Sequence, residues 1–372
     1  MINKHSIYNW LFFPLLASLL AGSATSCIND PAMEEEDMSG KTTLSVTVRG
    51  VSKDPVSDEY INTLRIIVFD ASGKVYNQLY LQDDIEKWNI KTSGTDTYYE
   101  ITQVLENFPG GSSNFYFIAN EEGYDVSTST SLSEFLGGTF TEDDLKTCIM
   151  ASTSDDVDWS NKPILMIANP SAQYIKPGEN NTIADVRLVR CVAKVQLIVQ
   201  KKNSTEDDGV PENDKVTISN VSLHGTRSNS YSLWDTKSYF ATNNSEYTHS
   251  FTITDINETV GYGTDDFPAY TSDMVYFPET LSQNNTTEGV LYFTFTLTYT
   301  PDDTTKPTIE RTYTFAVGKD ADDNGIVEDY NIYRNTSYTV TVTLLGWDPI
   351  EITMDIQVNA WSGVTIDVPA FE

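Results

Sequence analysis

Apolar and polar residues alternate with a period of two along most of this chain, from residue 42 onward. Such alternation is typical of half-buried strands, and the Val, Ile, Thr, Tyr and Phe residues that dominate these segments favour strands. The clearest segments are TTLSVTV (42–48), TLRIIVFD (63–70), NFYFIAN (114–120) and YFTFT (292–296). The chain is therefore predicted to be all-β, with helix as a minor element.

One break in the alternation, in the N-terminal half, indicates that minor helix. Thr141 is followed by three acidic residues, an arrangement that caps a helix and places negative charge where the helix dipole favours it. The predicted helix covers Leu145–Met150, and Ser131–Leu136 is a candidate for a further short turn.

Two blocks of short strands predict two tandem β-sandwiches with Greek-key connections. The segment between them, KKNSTEDDGVPEND (201–214), is charged, contains Gly and Pro, and lacks apolar periodicity, so it is the predicted linker. The N-terminal domain then covers 42–200 and the C-terminal domain 215–372. Within the first, residues 184–200 are long enough for one strand that crosses a sheet and bends.

The first 26 residues are typical of an export signal. An apolar run, Trp10–Leu20, is interrupted by Pro14 and followed by small residues; it is short for a membrane-spanning helix. The segment ends at Cys27 in Ala-Thr-Ser-Cys, which resembles a bacterial lipobox, so Cys27 is the predicted lipidation site. The alternative is cleavage at a nearby small residue without lipidation.

The acidic stretch after Cys27, residues 27–41, is predicted to be a solvated tether. It also resembles the surface-export signal of Bacteroidetes lipoproteins. The predicted location is thus the cell outer membrane, as a surface-exposed lipoprotein.

Charge and missing motifs exclude several functions. The chain has 54 acidic and 23 basic residues and a net charge of −31, and such a charge repels nucleic acid. His224 and His249 have no Cys or His at metal-ligand spacing, and no hydrolase, zinc-protease, P-loop or dinucleotide-binding signature is present. The protein is therefore predicted not to be an enzyme and not to bind nucleic acid.

One loop matches the start of a calcium-binding loop. Asp320, Asp322 and Asn324 are oxygen ligands at positions 1, 3 and 5, and Gly325 follows at position 6. Position 12 is Asn331, where a bidentate Glu belongs, so an acidic hairpin loop is the favoured interpretation. Calcium at 320–331 is the alternative, and no other cofactor is predicted.

Several segments together resemble the fimbrillin (FimA/Mfa) family of Bacteroidetes, the type V pilins. No single segment is specific, but their order along the chain is. They are TTLSVTV (42–48), LRIIVFDASGKV (64–75), RCVAKV (190–195), YFPET (276–280), YRNTSY (333–338) and IQVNAW (356–361).

The resemblance implies a structural fimbrial subunit with two transthyretin-like sandwiches. Such pilins reach the outer membrane as lipoproteins, and an extracellular protease, Arg-specific in the best-known members, removes the first strand. The C-terminal strand of the next subunit fills the groove that remains. The implied partners are other fimbrial subunits, in a homo- or heteropolymer that supports adhesion.

The chain contains the parts that this assembly requires at its N-terminal end. Leu44, Val46 and Val48 lie on one face of the predicted departing strand. Arg49 follows at once and is the only arginine before Arg65, so processing is predicted after Arg49. The alternatives are cleavage at Lys53, no cleavage, or an Arg49 that merely ends an edge strand.

At the C-terminal end, residues 364–371 are the candidate donor strand. Val364, Ile366 and Val368 alternate with other residues after the break Trp361-Ser362-Gly363. The alternative is that this strand pairs within its own C-terminal domain.

The main rival function is a glycan-binding surface lipoprotein of a polysaccharide-uptake system, with exposed aromatic rings as stacking platforms. Most aromatic residues, among them Tyr116, Phe293 and Phe295, instead fall inside alternating strands, where core packing is expected. The fimbrial function is therefore favoured.

Overall fold

The strands and helices account for most of the chain that the structure describes. The computed structural model describes residues 42–49, 61–85, 89–93, 96–105, 110–152, 163–169, 172–202, 209–235, 239–252, 258–264, 268–281, 291–318, 329–345 and 352–360. All of them lie within the unit Gly40–Glu372.

The N-terminal half contains eleven described strands and three short helices. The strands are β1 (Thr42–Arg49), β2 (Leu64–Asp70), β3 (Gly73–Tyr80), β4 (Asn89–Ser93), β5 (Asp96–Leu105), β6 (Gly111–Ala119), β7 (Ile149–Ala151), β8 (Met166–Ala168), β9 (Gln173–Ile175), β10 (Asn180–Arg187) and β11 (Val189–Arg190). The helices are α1 (Gln82–Ile85), α2 (Leu132–Gly137) and α3 (Glu142–Lys146).

The C-terminal half contains a further eleven described strands. They are β12 (Val192–Lys201), β13 (Lys215–Ser228), β14 (Ser230–Ser232), β15 (Asn244–Ser250), β16 (Glu258–Thr259), β17 (Tyr270–Thr271), β18 (Val275–Pro278), β19 (Tyr292–Thr300), β20 (Ile309–Ala316), β21 (Thr336–Leu344) and β22 (Ile352–Ala360). The predicted all-β class is confirmed.

Each half builds a sandwich from two sheets. In the N-terminal sandwich, sheet A has the order β10-β1-β5-β4, and sheet B has the order β11-β8-β6-β2-β3, with β9 also on β6. In the C-terminal sandwich, sheet C has the order β17-β12-β21-β22, with β18 also on β12. Sheet D has the order β15-β13-β19-β20, with β16 also on β13. A two-stranded ribbon of β7 and β14 joins the two halves.

Sheet B is covered on both faces, which explains why β2 is apolar without strict alternation. Leu64, Ile66 and Val68 lie in the core between sheets A and B. Ile67 and Phe69 lie in a second core on the opposite face. A strand that is buried on both sides has no solvent face to carry polar residues.

The second face of sheet B is covered by α2 and α3. Thr141 caps α3: its Oγ1 accepts from Asp144 N at 3.2 Å, and Asp144 Oδ2 accepts from Thr141 N at 2.8 Å. This confirms the predicted capping arrangement. The predicted end of the helix at Met150 is wrong, because α3 stops at Lys146 and β7 pairs with β14 instead.

The prediction of one long strand over 184–200 is also wrong. The chain breaks at Leu188 and again at Cys191, and so passes from β10 in sheet A through β11 in sheet B to β12 in sheet C. The reason is that successive residues enter different cores, Leu188 between sheets A and B and Cys191 on the outer face of sheet B.

The strand β12 contributes to the C-terminal core, although the predicted boundary at 201–214 would assign it to the N-terminal domain. Ala193, Val195, Leu197 and Val199 are all fully buried there. By strand pairing, the chain therefore enters the C-terminal sandwich at Val192, ahead of the predicted linker.

The two sandwiches repeat one topology. The first strand of each (β1 or β12) pairs in parallel with a strand from its end (β10 or β21). The second strand of each (β2 or β13) pairs antiparallel in the opposite sheet, with β6 or β19. On the outer side of β21 lies β22, which has no counterpart in the described part of the N-terminal sandwich.

A substitution of Phe117 tests the description of the core between sheets A and B. Its side chain is fully buried, so Phe117→Ala is expected to lower the free energy of unfolding by about 3 to 5 kcal/mol through lost burial and a cavity. Phe240→Ala is the matched control, because Phe240 is 39% exposed. Urea denaturation followed by circular dichroism measures both, and equal effects would contradict this description of the core.

Candidate functional site

The predicted departing strand lies inside a sheet. β1 pairs in parallel with β10 on one side and antiparallel with β5 on the other. All eight residues of β1 pair in unbroken register with Leu105–Tyr98 of β5. The alternative that Arg49 ends an edge strand is therefore wrong.

Two of the three apolar positions of β1 lie opposite buried residues of β10. Val46 pairs in register with Ile183, and Val48 pairs with Val186. Both partners are almost fully buried in the core between sheets A and B. Because laterally paired residues share a face of the sheet, the alternating Leu44, Val46 and Val48 occupy the core-facing register positions.

Loss of β1 would leave a slot between β5 and β10. Backbone N–H and C=O groups along both neighbours would lose their partners, and the apolar core behind them would be uncovered. Both defects are repaired by an added strand with alternating apolar residues. We call this the β1 slot; its described walls are β5 and β10.

Arg49 is the last residue of β1, in register with Arg187 of β10 and Tyr98 of β5. The peptide bond after Arg49 thus follows the strand directly. The next arginine, Arg65, is buried and bonded to Glu121, with Nη2 2.6 Å from Oε1. The other predicted site residues lie outside the described part of the chain: Cys27, Asp320, Asp322, Asn324, Val364, Ile366 and Val368.

A buried ion pair lies where the two sandwiches meet. Arg334 donates from Nη2 and Nε to Glu279 Oε2 at 2.8 and 3.0 Å. Arg334 also donates from its guanidinium to the carbonyl oxygens of Ser232 and Leu233. Burial raises the pKa of the Glu279 carboxyl, and the guanidinium opposes that rise.

The strand β14 and the residues after it extend from the C-terminal half into the N-terminal half. Tyr231 and Leu233 are buried in the core on the outer face of sheet B. Trp234 packs edge-on against Tyr116, with ring centroids 5.1 Å apart. The carbonyls that Arg334 binds are thus on a segment inserted in the other sandwich.

The turn before β21 is fixed at the same junction. Asn335 has a positive φ of 54°, which Asn tolerates better than most residues, and its N–H donates to Val192 O at 2.8 Å. Tyr338 Oη accepts from Tyr333 N at 2.9 Å and donates to Asn331 O at 3.1 Å. This hydroxyl anchors the turn as in a tyrosine corner.

Sequence reasoning missed the Glu279–Arg334 pair, although it singled out both segments. Glu279 belongs to YFPET and Arg334 to YRNTSY. The available signal was that each of these two segments has one charged residue, a negative one in YFPET and a positive one in YRNTSY. The pairing itself, over 55 residues of sequence, follows only from the fold.

The two described cysteines are buried and show no sign of a reactive or metal-binding role. Cys148 and Cys191 are free and buried, and burial raises their pKa values to about 12 and about 11, which disfavours reactive thiolates. Nowhere in the described ranges do three or more His, Cys, Asp or Glu side chains come together to hold a metal ion.

The two histidines pack against neighbours on the sheets. His224 contacts the hydroxyls of Thr248 and Thr294, and His249 lies edge-on to Phe251. Within the same described part, no helix is long and apolar enough to cross a membrane.

The aromatic residues that the sequence placed inside alternating strands lie in the cores. Tyr116, Phe293 and Phe295 are at most 1% exposed. This burial matches the core role expected from their place in alternating strands.

The family model of the major fimbrial subunit protein (FimA) matches residues 39–220. This segment, which includes all described strands of the N-terminal sandwich, is similar to that family of fimbrial subunits, and the resemblance is confirmed. This match supports a role as a pilus subunit at the cell surface. A comparison with curated protein sequences found no match.

Solved structures show the same fold. The C-terminally truncated tip fimbrial protein Mfa3 from Porphyromonas gingivalis is 16% identical, with a TM-score of 0.53, and 86% of this chain and 100% of that chain are covered. A fimbrilin (FimA) from Porphyromonas gingivalis W83 is 11% identical, with a TM-score of 0.51 and coverages of 88% and 100%. The similarity therefore extends over both sandwiches.

Arg334→Met is expected to destabilise the protein by about 3 to 5 kcal/mol at neutral pH, because Glu279 stays buried without its cation. The ordinary pKa of this carboxyl is 4.5 and the folded pKa lies above it. A protonated Glu279 carries no such penalty, so the deficit is expected to be small below pH 4.5 and to grow as pH rises through the folded pKa.

The double variant Arg334→Met/Glu279→Leu is the control. It removes both charges and is expected to recover most of the loss at neutral pH. Unfolding free energies at several pH values measure this, and a pH-independent deficit in the single variant would contradict the role of the ion pair.

Proposed function

We propose that this protein is a lipoprotein precursor of a fimbrial subunit that assembles by donor-strand exchange. The chain is exported to the outer membrane on a lipid at Cys27, and an extracellular arginine-specific protease cuts after Arg49. β1 then leaves its slot, and residues 364–371 of another subunit replace it. The polymer supports adhesion.

The internal position of β1 is the observation that carries this proposal. Removal of an edge strand would shorten a sheet, whereas removal of β1 would create a slot with two unsatisfied backbone walls. Such a slot binds an extended strand far more strongly than a single edge does, because hydrogen bonds form on both sides.

The position of the C-terminal strand agrees with the proposal. β22 is the outermost described strand of sheet C and pairs with β21, so the described sheets C and D are built from residues that precede 361. Residues 364–371 are therefore not needed to complete the described sheet, which supports a role outside their own subunit.

Processing is testable with an arginine-specific endoprotease on the full-length protein. Cleavage is expected to give a product that begins at Gly50, because the bond follows the end of β1 and Arg65 is buried. Arg49→Ala is expected to abolish this product, and Lys53→Ala is expected to leave it unchanged. N-terminal sequencing decides, and a wild-type product that does not begin at Gly50 would contradict processing after Arg49. The alternative at Lys53 is tested by the same experiment with a lysine-specific endoprotease, whose product would begin at Asp54.

Assembly is testable with the same cleaved protein. Polymers are expected by size-exclusion chromatography and electron microscopy after cleavage, and not from Arg49→Ala. Ile366→Asp is expected to abolish them, because a charge would enter the apolar core beneath the slot. The matched control Thr365→Asp, on the other face of the strand, is expected to assemble.

Polymers from a chain that lacks residues 364–372 would contradict donor-strand exchange by this segment. Cleaved wild-type protein that stays monomeric would do the same. A monomer that binds glycans in an array would favour the rival glycan-binding function.

A further inference from the structure

The β1 slot has a defined length. Every residue from Thr42 to Arg49 has a partner in β5, so the antiparallel wall offers eight register positions. The candidate donor strand, 364–371, also has eight residues. A full match places Val364 at the position of Thr42 and Phe371 at the position of Arg49.

The parallel wall of the slot contains a β-bulge. Val46 pairs with Ile183 and Val48 pairs with Val186. Two residues of β10 therefore lie opposite Thr47, and the described register gives Thr47 no partner in β10. Between the first and the last register pair of this wall, Thr43 with Asn180 and Arg49 with Arg187, the position of Thr47 is the only one without a partner.

The donor segment contains one residue that is unsuited to a central strand, Pro369. Proline lacks an N–H, and within sheets it is found at edges and bulges. In the full eight-residue match, Pro369 takes the position of Thr47, which is the position opposite the bulge. The one irregular residue of the donor thus coincides with the one irregularity of the wall.

The same match places apolar residues at all four core-facing positions. Val364, Ile366, Val368 and Ala370 replace Thr42, Leu44, Val46 and Val48, respectively. A register shifted by two residues would start with Val364 at Leu44, leave the first two positions of the slot empty, and move Pro369 away from the bulge.

We propose that the occupant of the β1 slot is residues 364–371 of a second copy of this chain, running parallel to β10, with Pro369 opposite the bulge of β10. This inference rests on the proposed donor-strand assembly and adds the direction and the register. It follows that Asp367 takes the place of Ser45 opposite Thr182, and Thr365 takes the place of Thr43 opposite Asn180.

Disulfide cross-linking between full-length copies tests the register. Neighbouring strands lie about 4.8 Å apart, which suits a disulfide between register partners. Thr182 and Asn180 are exposed, the native Cys148 and Cys191 are buried, and Cys27 leaves with β1. One copy carries a cysteine in β10 and the other a cysteine in the donor segment.

Two pairs are expected to cross-link after cleavage and mild oxidation, Thr182→Cys with Asp367→Cys and Asn180→Cys with Thr365→Cys. The first alone would also form with a reversed strand, whereas the second requires the parallel direction. The control pair, Thr182→Cys with Thr365→Cys, reports the register shifted by two residues and is expected to stay reduced. Non-reducing electrophoresis of the cleaved mixtures measures all three.

Polymers that cross-link only through the control pair would overturn this register and leave donor-strand assembly intact. Polymers in which only the Thr182→Cys and Asp367→Cys pair forms would overturn the parallel direction. No polymer and no cross-link in any mixture would overturn the proposed function, and the register with it.

Moving the proline gives a second, independent test. Asp367→Pro/Pro369→Asp places the proline opposite the regular pair at Thr182 and is expected to weaken assembly about a hundredfold. Pro369→Ala keeps the regular residues in place and is expected to assemble within about twofold of the wild type. Equal assembly by the transposed variant and the wild type would overturn the match between Pro369 and the bulge.

Discussion

In both sandwiches the first strand is held by parallel pairing with a strand from the end of the same domain, β1 with β10 and β12 with β21. Pairing of strands so far apart in sequence closes long loops, and its entropic cost is offset only when the paired strands also cover a core. The pairing of β1 with β10 completes sheet A, which covers one face of sheet B, while α2, α3 and the inserted residues Tyr231 and Leu233 cover the other face. In the N-terminal sandwich, the strand that completes the sheet is also the one proposed to leave.

The strands β1 and β12 hold the same place in the two sandwiches, but they differ in how their ends are attached to the rest of the chain. β12 follows β11 directly through the buried Cys191, and its first residue is bonded to Asn335 across the junction. β1 instead lies between the predicted acidic tether and the proposed cut after Arg49, with no such bond in its described register. The same place in the fold is thus covalently fixed in one sandwich, whereas in the other the proposed cut after Arg49 would release it.

Sequence patterns predicted the strands that are buried on one face and failed where burial changes along the chain. The alternation of β1 and the capping residues Thr141 and Asp144 are local, so the sequence alone located them. The break of 184–200 into three strands depends on which core each residue enters, and the central place of β1 depends on strands that come 50 to 140 residues later. The bulge in β10 has no local signal.

The Glu279–Arg334 pair has a consequence for the proposed fibre. The slot belongs to the N-terminal sandwich and the donor segment follows β22 of the C-terminal sandwich, so each subunit of a polymer connects its two neighbours through this junction. Apolar contacts alone tolerate small sliding movements, whereas a buried ion pair is strongly penalised when its partners separate. Arg334 binds Glu279, directly after β18, and the backbone of Ser232 and Leu233 on the inserted segment, so it ties this segment to the C-terminal sandwich. A mechanical role at this junction therefore accounts for the one charged residue in each of the segments YFPET (276–280) and YRNTSY (333–338).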